Sequence, residues 1–124
     1  MNSESNHILV VDDDELARLE IVRSVEQGGY TVSQAENGLR ALDMLREGSF
    51  DLVLLDLLMP GMDGFEVLRK MKTDAALSHV PVIVITAVED RDIAHKSIDL
   101  GAVDHISKPV NHQLLSHCIR KLFC

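Results

Sequence analysis

Tryptophan is absent from this 124-residue chain, and the whole aromatic complement is Tyr30, Phe50, Phe65 and Phe123. Nucleic-acid binding usually draws on stacking rings and a basic patch. The formal charge here is −8, from 12 Lys+Arg against 20 Asp+Glu, so direct contact with DNA or RNA is not expected. Cysteine is nearly absent too. Cys118 and Cys124 stand near the C-terminus without the Cys-x-x-Cys spacing of a zinc or dithiol site, which makes a reducing, cytoplasmic setting the economical expectation. Long hydrophobic runs are also missing. Met1 to His7 is short and polar with no basic flank, so neither a secretory signal nor a transmembrane helix is expected. With 46% hydrophobic and 26% charged residues, the chain has the profile of one globular domain that needs no disulfide or structural metal. The expected layout is an unstructured segment over residues 1–7 and a single domain over 8–124.

Short apolar runs are what the chain does have. Ile8-Leu9-Val10-Val11, Leu52-Val53-Leu54-Leu55 and Val82-Ile83-Val84-Ile85 lack polar alternation, as parallel strands covered on both faces do. His105-Ile106-Ser107 is a weaker run, and Tyr30 to Ala35, after Gly28-Gly29, reads as a more polar strand near an edge. Between the strands lie helical spacings: Leu16, Leu19, Val22, Val25; then Leu39, Leu42, Leu45; then Phe65, Leu68, Met71. A less regular segment follows around Ile93 to Leu100, and a last one runs over Leu114, Leu115, Cys118, Ile119 and Leu122. Gly28, Gly48 and Gly101 stand where helices should stop, Asn111 can cap the last helix, and Pro81 leads into the fourth strand. Strand and helix thus alternate five times, which predicts a doubly wound α/β fold: a parallel sheet with helices on both faces. Functional groups in such sheets gather beyond the carboxyl ends of the strands.

Those ends are acidic. The first strand runs into Asp12-Asp13-Asp14-Glu15 and the third into Asp56. If these strands are neighbours, three carboxylates share a small volume and call for a cation, and Mg2+ suits a site built of oxygen ligands. The fourth strand ends in Thr86 and the fifth in Lys108, a hydroxyl and an ammonium that could each bond a phosphoryl oxygen. A carboxylate flanked by such groups can itself accept a phosphoryl group. Asp14 reads mainly as a cap of the first helix, and Asp63, before Gly64, as turn former and helix cap. The six histidines show no metal spacing and read as surface or packing residues.

In order along the chain, Ile8-Leu-Val-Val-Asp-Asp-Asp14, Asp51-Leu-Val-Leu-Leu-Asp-Leu-Leu-Met-Pro-Gly-Met-Asp-Gly64, Val82-Ile-Val-Ile-Thr-Ala87, Gly101-Ala102 and Lys108-Pro109 resemble the receiver domain of two-component response regulators. The resemblance covers Ile8 to about Phe123 and implies a flavodoxin-like (βα)5 fold with strand order 2-1-3-4-5. It further implies that Asp56 is the phosphoacceptor and that Asp12, Asp13, Asp56 and the Leu58 backbone carbonyl hold Mg2+. By the same likeness Thr86, Lys108 and the Ala87 backbone bond the phosphoryl oxygens, and the peptide before Pro109 is cis. A histidine kinase or phosphotransfer domain would be the donor, with the fourth helix, fifth strand and fifth helix as output face.

Three positions depart from the family pattern. His105 stands where receivers usually carry Tyr or Phe as a switch ring. It either swings inward at a pH-dependent cost or marks a lax switch position. Leu58 and Val88 stand at the positions that in the family flank the path of hydrolytic water, and both are apolar, which predicts a long-lived phosphoryl group. A haloacid dehalogenase-type phosphatase fits badly, because Asp12-Asp13-Asp14-Glu15-Leu16 lacks the Asp-x-Asp-x-Thr or Asp-x-Asp-x-Val pattern of that family. A flavodoxin-type flavin carrier fits badly as well, because four consecutive acids would repel the phosphate that a Ser/Thr/Gly-rich loop cradles. Neither a turnover enzyme nor a flavoprotein is expected. The remaining alternative is a docking module on a receiver fold that works without phosphorylation.

Overall fold

The computed structural model describes residues 6–87 and 91–123. Five strands alternate with five helices: β1 His7–Val11, α1 Glu15–Gln27, β2 Thr31–Ala35, α2 Gly38–Glu47, β3 Leu52–Leu55, α3 Gly64–Thr73, β4 Val82–Thr86, α4 Arg91–Asp99, β5 Asp104–Ser107 and α5 His112–Phe123. The strands form one parallel sheet in the order β2-β1-β3-β4-β5, as expected. Every residue of β3 and β4 is buried, which is why their sequences carry no polar alternation. Alternate side chains of the central strands feed two cores. Leu9, Val11, Val53, Leu55, Val82 and Val84 pack beneath α2 and α3, while Ile8, Val10, Leu52, Leu54, Ile83 and Ile85 pack beneath α1 and α5.

Helix ends follow the punctuation. Asn37 and Asn111 cap α2 and α5 by accepting from the Arg40 and Leu114 amides, and Asp63 caps α3 by accepting from the Glu66 amide. Asp14 occupies the cap position of α1, but its side chain makes no capping bond. The segment expected to be unstructured over residues 1–7 does not extend to His7. His7 opens β1 opposite Thr31, its ring hydrogen-bonds Ser33 Oγ at 2.7 Å, and it packs on the Phe50 ring. Residues 1–5 lie outside the described residues.

The apolar stripe of α1 differs from the expected one. Ile21, Val22 and Val25 are buried, whereas Leu16 is 75% exposed and Leu19 also faces outward. Leu16 lies about 120° round the helix from Val22, so the two cannot share the inward face. Leu39 and Leu114, at the starts of their apolar patterns, are exposed as well.

The turn between α3 and β4 is tied by Lys72. Its ammonium donates to the Ser78 and Val80 carbonyls at 3.2 and 3.0 Å, and burial pushes its pKa down. The Lys72 stem crosses Gly101, whose φ of +112° and lack of a side chain let it pass. Among the described residues no helix is long and apolar enough to cross a membrane.

Candidate functional site

Parallel pairing brings the acids together. Val11 and Leu55 are register partners at the ends of β1 and β3, so the residues that follow them, Asp12 and Asp56, are neighbours. The Asp56 amide donates to the Val11 carbonyl at 3.0 Å and the Asp12 amide to the Ala35 carbonyl at 3.2 Å. Both carboxylates are buried, at 1% and 5% exposure, while Asp13 is exposed beside them. Carboxylate oxygens of Asp12, Asp13 and Asp56 all lie within 4.8 Å of one another.

Lys108 arrives from the end of β5. Its amide bonds the Thr86 carbonyl at 2.9 Å, which fixes the two strand ends to each other. Its ammonium reaches Asp12 Oδ2 at 2.7 Å and Asp56 Oδ2 at 3.2 Å. The other oxygens of the pair are held by the backbone: Asp12 Oδ1 accepts from the Asp14 amide at 2.9 Å and Asp56 Oδ1 from the Leu58 amide at 3.1 Å. The peptide joining Lys108 to Pro109 is cis.

Electrostatics set each group. Burial pushes the Asp56 carboxyl above its ordinary range, and the Asp12 charge adds to this; the Leu58 amide and the Lys108 ammonium oppose it. Burial alone would lower Lys108, but its hydrogen bond to Asp12 and the charges of Asp56 and Asp12 leave it raised. Three carboxylates against one ammonium leave an excess of negative charge on an all-oxygen donor set. That set fits a hard cation such as Mg2+.

Of the residues expected in the site, Asp12, Asp13, Asp56 and Lys108 come together directly. Leu58 follows two residues after Asp56, with its amide turned to that carboxylate and its side chain 54% exposed. Thr86 is fully buried at the end of β4, and Ala87 follows at the surface. Val88 lies outside the described residues. His105 is part-buried in β5 opposite Val84, and its Nε2 is buried with no hydrogen-bond partner among the described residues.

Two supports were not foreseen from the sequence. A side chain at Gly64 would collide with the Asp56 carbonyl and come within 2.6 Å of Leu57 Cα, so only glycine lets α3 start against the acidic strand end. Arg18 of α1 donates to the Asp12 carbonyl at 2.8 Å. The sequence signal for Gly64 is its place at the end of the Met59-Pro-Gly-Met-Asp-Gly64 loop, and for Arg18 its place just after the acidic run Asp12 to Glu15.

The model of the response regulator receiver domain matches residues 8–120. The response regulator PleD of Caulobacter vibrioides is 40% identical over 118 residues, covering 95% of this chain but 26% of that protein. Sporulation initiation phosphotransferase F of Bacillus subtilis is 39% identical over 114 residues, 92% of this chain and 90% of that protein. The chain spans between about a quarter and a half of the first curated relatives it matches. Among solved structures, the signal receiver domain of a DNA binding response regulator from Colwellia psychrerythraea 34H superposes with a TM-score of 0.89 at 31% identity, covering 95% of this chain and 98% of that one.

Proposed function

The chain belongs to the response regulator receiver domain family, a module of two-component signalling, and from that premise we propose that Asp56 is its phosphoacceptor. The observation that carries this reading is the meeting of Asp56 with Asp12, Asp13 and Lys108 at one rim of the sheet. A histidine kinase or phosphotransfer domain is the donor. An Asp56 oxygen attacks phosphorus as the donor's N–P bond breaks. The bond's electron pair returns to an imidazole already protonated on its other nitrogen, which leaves neutral, and an acyl phosphate remains on Asp56.

Mg2+ held by Asp12, Asp13, Asp56 and the Leu58 carbonyl would supply neutralisation of the phosphoryl oxygens. Lys108, freed from Asp56 by a short movement, pairs with one of those oxygens. The Thr86 hydroxyl and the Ala87 amide serve the others from the end of β4. A cavity of about 370 Å³ lined by Lys108 and Ala87, and walled by Ala17 and Ile21 of α1 and by Pro109 and Val110, offers a side chain of the donor a seat beside Lys108. The α4, β5 and α5 face, with His105 as its ring, carries the output. The chain turns over only its own phosphoryl group.

The test is the intact mass after incubation with acetyl phosphate and Mg2+. A single phosphoryl adduct that disappears in Asp56→Asn and without metal is expected. Absence of an adduct from both acetyl phosphate and a phosphohistidine donor, in folded protein, would replace this reading with a docking module. The adduct is expected to be long-lived, because the Leu58 side chain cannot orient an attacking water. Leu58→Asn should shorten its half-life several-fold, read from the same time course.

A further inference from the structure

Arg18 sits in the first turns of α1, within a few residues of Asp12, Asp13, Asp14 and Glu15, yet among the described residues it forms no salt bridge with any carboxylate. Its guanidinium instead makes two hydrogen bonds to neutral oxygens. Nη1 donates to the Asp12 carbonyl at 2.8 Å and Nε to Gln34 Oε1 at 2.9 Å. Gln34 lies on β2 opposite Val10 of β1, so the guanidinium is held both from β2 and from the loop that follows β1.

The carbonyl that Arg18 holds belongs to the peptide joining Asp12 to Asp13. On its other side Asp12 is fixed through its amide to Ala35. Arg18 therefore sets the plane of the peptide from which the exposed Asp13 carboxylate departs, and hence how Asp13 faces Asp12 and Asp56. We propose that Arg18 is a positioning residue of the acidic cluster, one that raises divalent-cation affinity by holding the Asp12–Asp13 peptide in the orientation that converges the three carboxylates. This inference rests on the reading of that cluster as a cation site.

Charge and position act with opposite sign here, which makes the proposal decidable. A guanidinium near the cluster repels a divalent cation, so removing its charge alone would tighten binding. Loss of positioning weakens it, and supports behind the ligands of a metal are commonly worth about tenfold or more in affinity. The experiment is calorimetric titration of the intact chain with Mg2+ alone, for wild type, Arg18→Ala, Arg18→Lys and Gln34→Ala, alongside thermal midpoints without metal.

The expected result is about tenfold weaker binding for Arg18→Ala. Arg18→Lys should recover part of the loss, because an ammonium can still donate to one carbonyl. Gln34→Ala, which keeps the charge, should weaken binding by a smaller factor and reads the same effect if Arg18→Ala fails to fold. Unchanged or tighter binding in the folded variants, with only the midpoint lowered, would overturn the positioning role while leaving the cation site standing. A wild-type chain that binds no Mg2+ would overturn both.

Discussion

At Asp56 burial works against the charged carboxylate, and the Leu58 amide and the Lys108 ammonium offset that only in part. Its pKa is raised, chiefly by burial, so the folded state favours the protonated form more than the unfolded chain does. The sign follows: this group's stabilising contribution is present below the ordinary carboxylate range and is lost as pH rises through the raised value. In metal-free buffer near neutrality, Asp56→Asn should therefore raise the urea midpoint, and the gain over wild type should shrink as pH falls into the carboxylate range. Mg2+ acts in the opposite direction from metal removal. At ten times its dissociation constant it should stabilise the wild-type chain by about 1.4 kcal/mol. That gain should vanish with a chelator and be reduced in Asp13→Asn, as thermal melts would show. The carboxylates and Lys108 were legible in the sequence because strand ends carry function in this architecture. Arg18 and Gly64 were not, because each acts on a backbone atom, and a contact with backbone leaves no mark on the partner's residue type.

At the scale of elements, β3 and β4 announced themselves through unbroken aliphatic runs, since both of their faces are covered. The helices were legible in position, and α2, α3 and α5 also in the face they bury, but α1 was not legible in rotation. In α1 leucines stand on one stripe and β-branched residues on the next; spacing alone does not say which faces inward, and the structure buries Ile21, Val22 and Val25. Packing against the sheet and α5 decides it, and that is a property of the partner surface. Gly101 follows α4 at positive φ with the Lys72 stem against it, so an added methyl meets both backbone strain and the tie across the α3–β4 turn. Gly101→Ala should cost about 1 kcal/mol or more. Lys72→Met, which keeps the stem but loses the bonds to Ser78 and Val80, should loosen that turn and raise amide exchange at Val80 while leaving Mg2+ binding unchanged.

Across the whole molecule, the site is assembled from both ends of the chain. The ammonium of Lys108 meets Asp12 across 96 residues of sequence and Asp56 across 52. During synthesis both acids emerge well before their counter-charge, so a chain ending before β5 must bury two carboxylates at touching strand ends with no cation between them. A fragment stopped after Val103 should show little ordered sheet by circular dichroism at neutral pH, and added Mg2+ or mild acid should restore part of it. On that expectation the paired charges tie the closing of β1 on β3 to the arrival of β5, although β5 touches neither strand in the sheet.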